Sequence, residues 1–202
     1  EAPISLRVGT SKTIGEYVIA PKVEHFLRAH PEANFSLLVD NTQVLLRALK
    51  EGQLDFVLVE GFFERNQYET QLFRREDFFG VCEPGHRLAG RSVPLDELHG
   101  ERLILREAGS GTRAIFEDAL HRLNDTLDSF ESIVTISEFE AIKSLVADGL
   151  GISFLYAPVA ERELAQGKLA RFELADVPMS GAFYFACLKD NLFSGIWAEW
   201  MQ

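Results

Sequence analysis

Short apolar runs alternate with longer, helically spaced stretches in the first part of the chain. The runs are Leu6 to Gly9, Phe35 to Val39 and Phe56 to Val59. Between them, apolar side chains recur at the steps of a helix with one buried face, over residues 13–30 and 42–50. This alternation predicts a β-α-β-α-β unit with parallel strands, in which Pro21 should kink or divide the first helix.

A second α/β pattern follows in the middle of the chain. Its predicted strands are Phe79 to Cys82, Leu103 to Leu105, Ile133 to Ile136 and Ile152 to Leu155. Its predicted helices cover residues 94–98, 113–123 and 138–147. After it come a helical stretch to Ala165, two strand-like runs at 169–172 and 183–188, and a last helix that ends near Trp200.

The two patterns predict two lobes. We assign residues 1–80 and 157–202 to lobe I and residues 81–156 to lobe II, so that the chain crosses between them near Gly80 and Tyr156 and forms a hinge there. Ligands of open parallel sheets bind beyond the carboxyl ends of the strands, so the expected binding site is an interlobe cleft. The expected fold class is α/β, with two Rossmann-like lobes, a hinge and a cleft.

Composition and charge narrow the function. A chain of 202 residues with 47% hydrophobic content can bury a sizeable core, and it contains neither an apolar run of about 20 residues nor a signal-peptide start. The net charge of -11 opposes binding to a phosphate backbone, so we do not expect this chain to grip DNA. The chain begins at Glu1 rather than at Met, which leads us to expect a segment upstream. Cys82 and Cys187 are expected to be buried thiols in a reducing compartment.

The first candidate binding site follows the first predicted strand. Gly9 leads there into Thr10, Ser11, Lys12 and Thr13, which we call the N-terminal site. A helix that starts here would offer unpaired N–H groups and the positive end of its dipole to an anion, and the hydroxyls and the Lys12 ammonium would add further donors. The alternative is that Ser11 or Thr13 only caps the helix.

The second candidate site lies at another strand end, within residues 106–113. We call Ser110, Gly111, Thr112 and Arg113 the glycine-loop site. Glycine lets the backbone approach a ligand closely, the hydroxyls add donors, and Arg113 can pair with an oxyanion or brace the loop through Glu107. A structural glycine turn and a dinucleotide fingerprint without its final glycine stay open as alternatives. Closure of the hinge would aim both sites at one small anion.

Other strand ends offer smaller contributions, and catalytic patterns are weak. The additional candidates are Asn41, Thr42, Glu60, Gly61, Ser137, Glu138 and Phe139. Ser137 with Glu140 also fits a helix capping box. The five histidines lack metal-ligand spacing, and we expect neither a metal nor another cofactor. Glu60, Glu107 and Glu138 are the only candidates for the acid or base of an enzyme.

Several short motifs resemble the regulatory domain of LysR-type transcriptional regulators over essentially the whole chain. They are Leu6-Arg7-Val8-Gly9, Phe26 to Pro31 before a strand, Leu49 to Phe56, Glu83 to Leu88, and Val146 to Ser153. The resemblance implies a type-2 periplasmic-binding-protein fold, and a winged helix-turn-helix DNA-binding domain upstream of Glu1. It also implies effector contacts at Thr10 and Ser11, at the glycine-loop site and near Phe139. We therefore expect a cytoplasmic sensor domain that is not an enzyme.

The resemblance also narrows the partners. The Gly-Ser-Gly-Thr-Arg sequence at residues 109–113 resembles members that sense small anions, so the expected effector is a sulfur oxyanion, a phosphorylated metabolite or a carboxylate. Lys12 departs from the family pattern, and it either faces solvent or adds charge to the pocket. Family members pair side by side, which predicts a homodimer that sets the helix near Thr13 against residues 158–165 of the second copy. We expect a tetramer of the full-length protein and no contact with a membrane.

Two other classes of protein share this fold. A secreted solute-binding protein would have the same cleft, and a signal peptide upstream would identify it. An enzyme on the two-lobed fold would need an acid or a base between the two anion sites.

Overall fold

The computed structural model describes residues 2–190 and 194–202, so Glu1 and residues 191–193 lie outside the described part. The chain divides into two compact units. Unit 1 comprises residues 1–74 and 182–202, and unit 2 comprises residues 75–181. The chain passes from one unit to the other within two strands, at residues 68–82 and 180–188.

Unit 1 is built on a sheet whose strand order is β2-β1-β3-β10. Its elements are β1 (Ser5–Thr10), α1 (Lys12–Tyr17), α2 (Ala20–Ala29), β2 (Asn34–Val39), α3 (Thr42–Lys50), β3 (Phe56–Glu60), a 3-10 helix (Arg65–Gln67), the first part of β4 (Tyr68–Cys82), most of β10 (Ser180–Leu188) and α7 (Ser194–Trp200). Strand β1 pairs in parallel with β2 and β3, and β10 is antiparallel to β3. The predicted β-α-β-α-β unit is confirmed.

The core of unit 1 lies around β3, whose five residues are all buried. On one side, the Trp200 ring packs edge-on against Phe56 at 5.4 Å between ring centroids. On the other side, Leu45 and Leu49 of α3 are completely buried. The helix predicted over 13–30 forms as two helices, because Pro21 lies in the first turn of α2, where its missing N–H leaves no helix bond unmade.

Unit 2 combines a parallel strand pair with antiparallel strands. Its elements are the second part of β4, β5 (Ser92–Val93), a 3-10 helix (Leu95–Leu98), β6 (Arg102–Leu105), α4 (Gly111–Arg122), a 3-10 helix (Leu127–Ser129), β7 (Ser132–Thr135), α5 (Phe139–Ala147), β8 (Ser153–Tyr156), α6 (Ala157–Ala165) and β9 (Ala170–Leu174). Strand β6 pairs in parallel with β7, and Ile104 N donates to Ile152 O at 2.8 Å. Strand β4 is antiparallel to β8 and β9, while β5 is parallel to β9.

The compact units differ from the predicted lobes at the second boundary. We assigned α6 and β9 to lobe I, but both belong to unit 2. Strand β9 pairs with β4 through Gly80 and Phe172, and the buried Lys143 ammonium of α5 donates to Val159 O of α6 at 2.9 Å. Because of these bonds, the chain passes between the units for the second time at the start of β10, and not at Tyr156 as predicted. The chain passes between the units for the first time at Arg74, whereas the prediction placed this point near Gly80.

Candidate functional site

The N-terminal site lies where β1 ends beside β3. Thr10 is in register with Leu58 of β3, and Ser11 N donates to Leu58 O at 3.0 Å. The side chains of Thr10, Ser11 and Thr13 are buried, and Lys12, the first residue of α1, is half-buried. The parallel pairing of the two strands thus places buried hydroxyls at the carboxyl edge of the unit 1 sheet.

Two of these hydroxyls have no hydrogen-bond partner among the described residues. They are Thr10 Oγ1 and Ser11 Oγ. Ser11 occupies the N-cap position of α1 without a side-chain capping bond, and the Thr13 hydroxyl donates instead to Glu60 Oε1 at 3.1 Å. The capping alternative is therefore wrong for the Ser11 hydroxyl. Helix α1 has only six residues, so its dipole is small. The hydroxyls are therefore the main groups that this site can offer to an anion.

Glu60 brings a carboxyl group into the same site. It is the last residue of β3, and only 1% of its surface is exposed. The Thr42 hydroxyl donates to Glu60 O at 2.9 Å, which fixes its backbone from the α3 side. Asn41, a lesser candidate in the sequence, accepts a bond from Val44 N at 3.0 Å and caps α3. The N-terminal site therefore offers both hydroxyl donors and a carboxyl acceptor.

The glycine-loop site lies between β6 and α4 in unit 2. Ser110 is the N-cap of α4, and its hydroxyl accepts a bond from Arg113 N at 3.3 Å. Ser110 and Thr112 are each only 3% exposed. Gly109 has a φ of 94°, a conformation that residues with an L side chain rarely adopt. The turn before α4 therefore needs glycine at this position. Helix α4 has 12 residues, so the positive end of its dipole lies at this loop and favours an anion there.

Arg113 braces the loop through the main chain of Arg106. Its Nη1 donates to the main-chain oxygen of Arg106 at 3.2 Å, and its Nε lies 3.7 Å from Glu117 Oε2. Its side chain keeps 18% exposure. The guanidinium is thus held at the loop while part of it stays accessible.

Arg106 is the site residue that sequence reasoning missed. It is 2% exposed, and it donates to Glu107 through Nε at 2.8 Å and through Nη2 at 3.1 Å. Its guanidinium lies 4.8 Å from the centre of the Phe139 ring. The third nitrogen, Nη1, is buried without a hydrogen-bond partner in the described part of the chain. The available signal was a basic residue directly after a strand, one step before the glycine loop.

Phe139 joins the glycine-loop site through this arginine. It is the first residue of α5 and is 1% exposed, so its ring supports the Arg106 guanidinium from one face. The capping box of Ser137 and Glu140 stays a prediction: the N-cap position of α5 falls on Glu138, and Glu140 also forms an ion pair with Lys143 at 3.1 Å. Unit 2 therefore gathers Arg106, Phe139 and the start of α4.

The surroundings of the two cysteines disfavour the reactive thiolate form. Both thiols are free and buried. Burial, together with the charges of Glu101 and Glu83, raises the pKa of Cys82 to about 11, and burial also raises the pKa of Cys187. Among the described residues, no helix combines the length and the apolar character required to cross a membrane.

Comparison with known proteins decides the family. The model of the LysR substrate binding domain matches residues 4–196. The chain belongs to this family. As a LysR substrate-binding domain, it is 30% identical over 166 residues to the HTH-type transcriptional regulator CysL of Bacillus subtilis, which covers 82% of the chain and 54% of CysL. It is 29% identical over 189 residues to the HTH-type transcriptional regulator CbbR of Rhizobium meliloti, or 93% of the chain and 59% of CbbR. The chain thus spans little more than half the length of these relatives.

Solved structures confirm the fold class of this LysR substrate-binding domain. The CcmR regulatory domain of Synechocystis in complex with 2-PG superposes with a TM-score of 0.83 at 26% identity, covering 98% of this chain and 95% of that one. The effector-binding domain of QuiR in complex with shikimate gives a TM-score of 0.82 at 20% identity, covering 98% and 94%. The fold is the type-2 periplasmic-binding-protein fold. The family match, and relatives that are named transcriptional regulators, favour a regulator's domain over a secreted solute-binding protein.

Proposed function

We propose that this LysR substrate-binding domain senses a small anion that contacts both the N-terminal site and the glycine-loop site. One observation carries the proposal: both sites contain buried polar atoms without a partner in the described chain, namely Thr10 Oγ1, Ser11 Oγ and Arg106 Nη1. An unmet buried polar group costs about 1–3 kcal/mol, so a ligand that meets these groups recovers free energy on binding.

Charge supports an anion rather than a neutral ligand. Arg106 retains an unmet N–H, Arg113 is partly exposed, and the N-terminus of α4 adds oriented N–H groups. Hydroxyls of Thr10, Ser11 and Thr112 would complete the shell around a compact oxyanion. The expected effector is a sulfur oxyanion, a phosphorylated metabolite or a carboxylate.

Lys12 has a specific part in this proposal. It is half-buried at the first turn of α1, next to the two unpartnered hydroxyls. We propose that its ammonium adds positive charge to the N-terminal site and so strengthens binding of an oxyanion.

The regulatory consequence follows from the family. Binding of one effector to both sites favours one arrangement of the two units, and the shift in population is passed to a DNA-binding domain in the full-length regulator. We propose that the protein is a cytoplasmic homodimer, that its full-length form is a tetramer, and that this domain performs no catalysis. Sedimentation that shows only monomers of this domain at tens of micromolar would contradict the dimer, whose population depends on concentration.

Calorimetry tests the site assignment. Sulfate, sulfite, phosphate and small carboxylates are titrated into the parent domain and into the variants Arg113→Ala and Thr10→Ala. We expect each variant to weaken binding of the anion that the parent binds, roughly 10-fold or more, because each removes a donor from the proposed shell. Unchanged affinity in both variants would refute the assignment.

A further inference from the structure

Glu60 is a buried carboxyl group within a site proposed to bind an anion. It ends β3, only 1% of its surface is exposed, and its Oε1 accepts a hydrogen bond from Thr13 at 3.1 Å. A carboxylate next to a second negative charge is unfavourable, most of all where water is excluded. A site for an arbitrary anion would not place this group here.

The surrounding bonds hold Glu60 in place. Its main-chain oxygen accepts a bond from Thr42 at 2.9 Å, and β1 runs alongside β3 with Thr10 in register with Leu58. Glu60 therefore extends two residues beyond the partner of Thr10, on the side where Ser11 and Thr13 follow. The carboxyl group and the three hydroxyls belong to one edge of the unit 1 sheet.

The two kinds of group suit different atoms of a ligand. Hydroxyls can donate to anionic oxygens, whereas a carboxylate accepts hydrogen bonds at two oxygens with about four lone-pair sites in all. The bond from Thr13 shows that the Glu60 carboxyl group acts as an acceptor in this site. An O–H group on the ligand turns the repulsion between Glu60 and the ligand into a charge-assisted hydrogen bond.

We propose that the effector presents an O–H donor to Glu60, next to the oxygens that carry its negative charge. This inference rests on the proposed function and narrows its ligand class. The class comprises oxyanions that keep a proton, such as hydrogen phosphate, and phosphate esters or carboxylates that carry a neighbouring hydroxyl. A fully deprotonated oxyanion of the same shape, such as sulfate, is rejected.

Two matched pairs of ligands test the proposal by calorimetry at mildly alkaline pH. Phosphate and sulfate have the same shape, but only phosphate keeps a proton there. 2-Phosphoglycerate and 2-phospholactate differ in one hydroxyl, which separates an organic hydroxyl from an inorganic proton as the donor. In the parent domain, we expect the O–H-bearing member of at least one pair to bind roughly 10- to 100-fold more tightly.

The variant Glu60→Gln assigns that preference to Glu60. We expect the preference to fall below roughly threefold, because an amide no longer repels the deprotonated member. The exposed Glu32, which lies outside the site, provides the control Glu32→Gln, and it should keep the parent preference. Circular dichroism checks that both variants fold. If Glu60→Gln does not fold, the comparison of ligand pairs in the parent still decides.

The outcomes separate this proposal from the proposed function. Equal binding within both pairs, or a preference that survives in Glu60→Gln, overturns the role of Glu60. If binding of the same ligands still falls on substitution of Arg113 or Arg106, the proposed function stands. If none of the four ligands binds, the role of Glu60 is rejected, and the proposed function then depends on whether sulfite or a small carboxylate binds.

Discussion

The substitution Arg106→Met separates a ligand-binding role of Arg106 from a structural one. In the structure this guanidinium makes two hydrogen bonds with Glu107, stacks on Phe139, and keeps one buried N–H without a partner in the described chain. A residue that only supports the fold would not be expected to leave a donor unmet. We therefore expect Arg106→Met to affect effector binding more than folding.

The magnitudes follow from these contacts. Loss of the bonds to Glu107 costs about 1–2 kcal/mol, because that side chain is 28% exposed and water can replace the guanidinium. Removal of the unmet N–H recovers about 1–3 kcal/mol, and the methionine sulfur still packs on the Phe139 ring. We expect the free energy of unfolding to change by no more than about 1 kcal/mol, or about 2–4 °C in Tm. The lost charge-assisted bond to the effector should weaken binding about 10- to 150-fold.

Urea unfolding and calorimetry measure the two effects on the same samples. Arg171→Met is the matched control, because Arg171 also lies over an aromatic ring, Phe79 at 3.9 Å, and pairs with Glu173 at 2.6 Å, yet its side chain is 43% exposed. We expect the control to leave affinity unchanged. A loss of about 3 kcal/mol or more in stability, combined with unchanged affinity in Arg106→Met, would refute the reasoning.

Four further predictions concern the fold. Lys143→Met should lower the free energy of unfolding, measured in urea, by about 3 kcal/mol, because it removes the buried ammonium that binds Glu163 at 3.1 Å. The double variant with Glu163→Leu should recover part of this stability, because it also removes the carboxylate left without that partner. Burial alone would raise the pKa of Glu163, but bonds from Lys143 and Arg162 outweigh it and lower the pKa. The stability from this carboxylate is full above the ordinary glutamate pKa and is lost as pH falls through the lower folded-state value, so acid unfolding followed by circular dichroism should be less steep in Glu163→Gln. Gly80→Ala should lower Tm by an amount equivalent to about 1–3 kcal/mol, since its new methyl group would overlap the Phe172 ring. A thiol reagent should label Cys82 at least about 10-fold more slowly in folded than in urea-unfolded protein, because burial raises its pKa to about 11; equal rates would contradict this.

Periodicity predicts an element well where burial follows the period of that element. Helix α3 forms over the predicted residues 42–50, because its buried side chains recur at helical steps and Asn41 caps its start. Strand β3 was equally clear, since all of its residues are buried. Strand β4 was not, because most of residues 69–77 are polar and not buried, so only the buried end at 79–82 gave an apolar signal.

Assignment of elements to units could not be read from periodicity. The sequence shows that residues 157–165 form a helix, but not which sheet that helix covers. The ion pair of Lys143 with Glu163 and the pairing of β9 with β4 decide it, and both join residues far apart in sequence. Contacts of this kind do not alter the hydrophobic periodicity of either segment.

The candidate site was predictable by position and less so by chemistry. Strand ends that lead into hydroxyl-rich and glycine-rich turns located both sites, since this arrangement depends on neighbouring residues alone. Arg106 was missed because its value depends on burial over Phe139, a residue 33 positions away. Glu60 was predicted as a smaller contact and as a candidate acid or base of an enzyme, because nothing near it in sequence shows that it accepts a bond from the Thr13 hydroxyl.

Arg106 and Glu60 give the two proposed sites different chemistry. The positive charge described around the glycine-loop site, from Arg106, Arg113 and the start of α4, contrasts with the hydroxyls, Lys12 and buried carboxyl of the N-terminal site. A symmetrical anion would bind weakly at the N-terminal site, because the Glu60 carboxylate would repel one of its oxygens. An O–H donor on the ligand turns this repulsion into a charge-assisted hydrogen bond, so the proposed ligand class combines a negative charge with an O–H group.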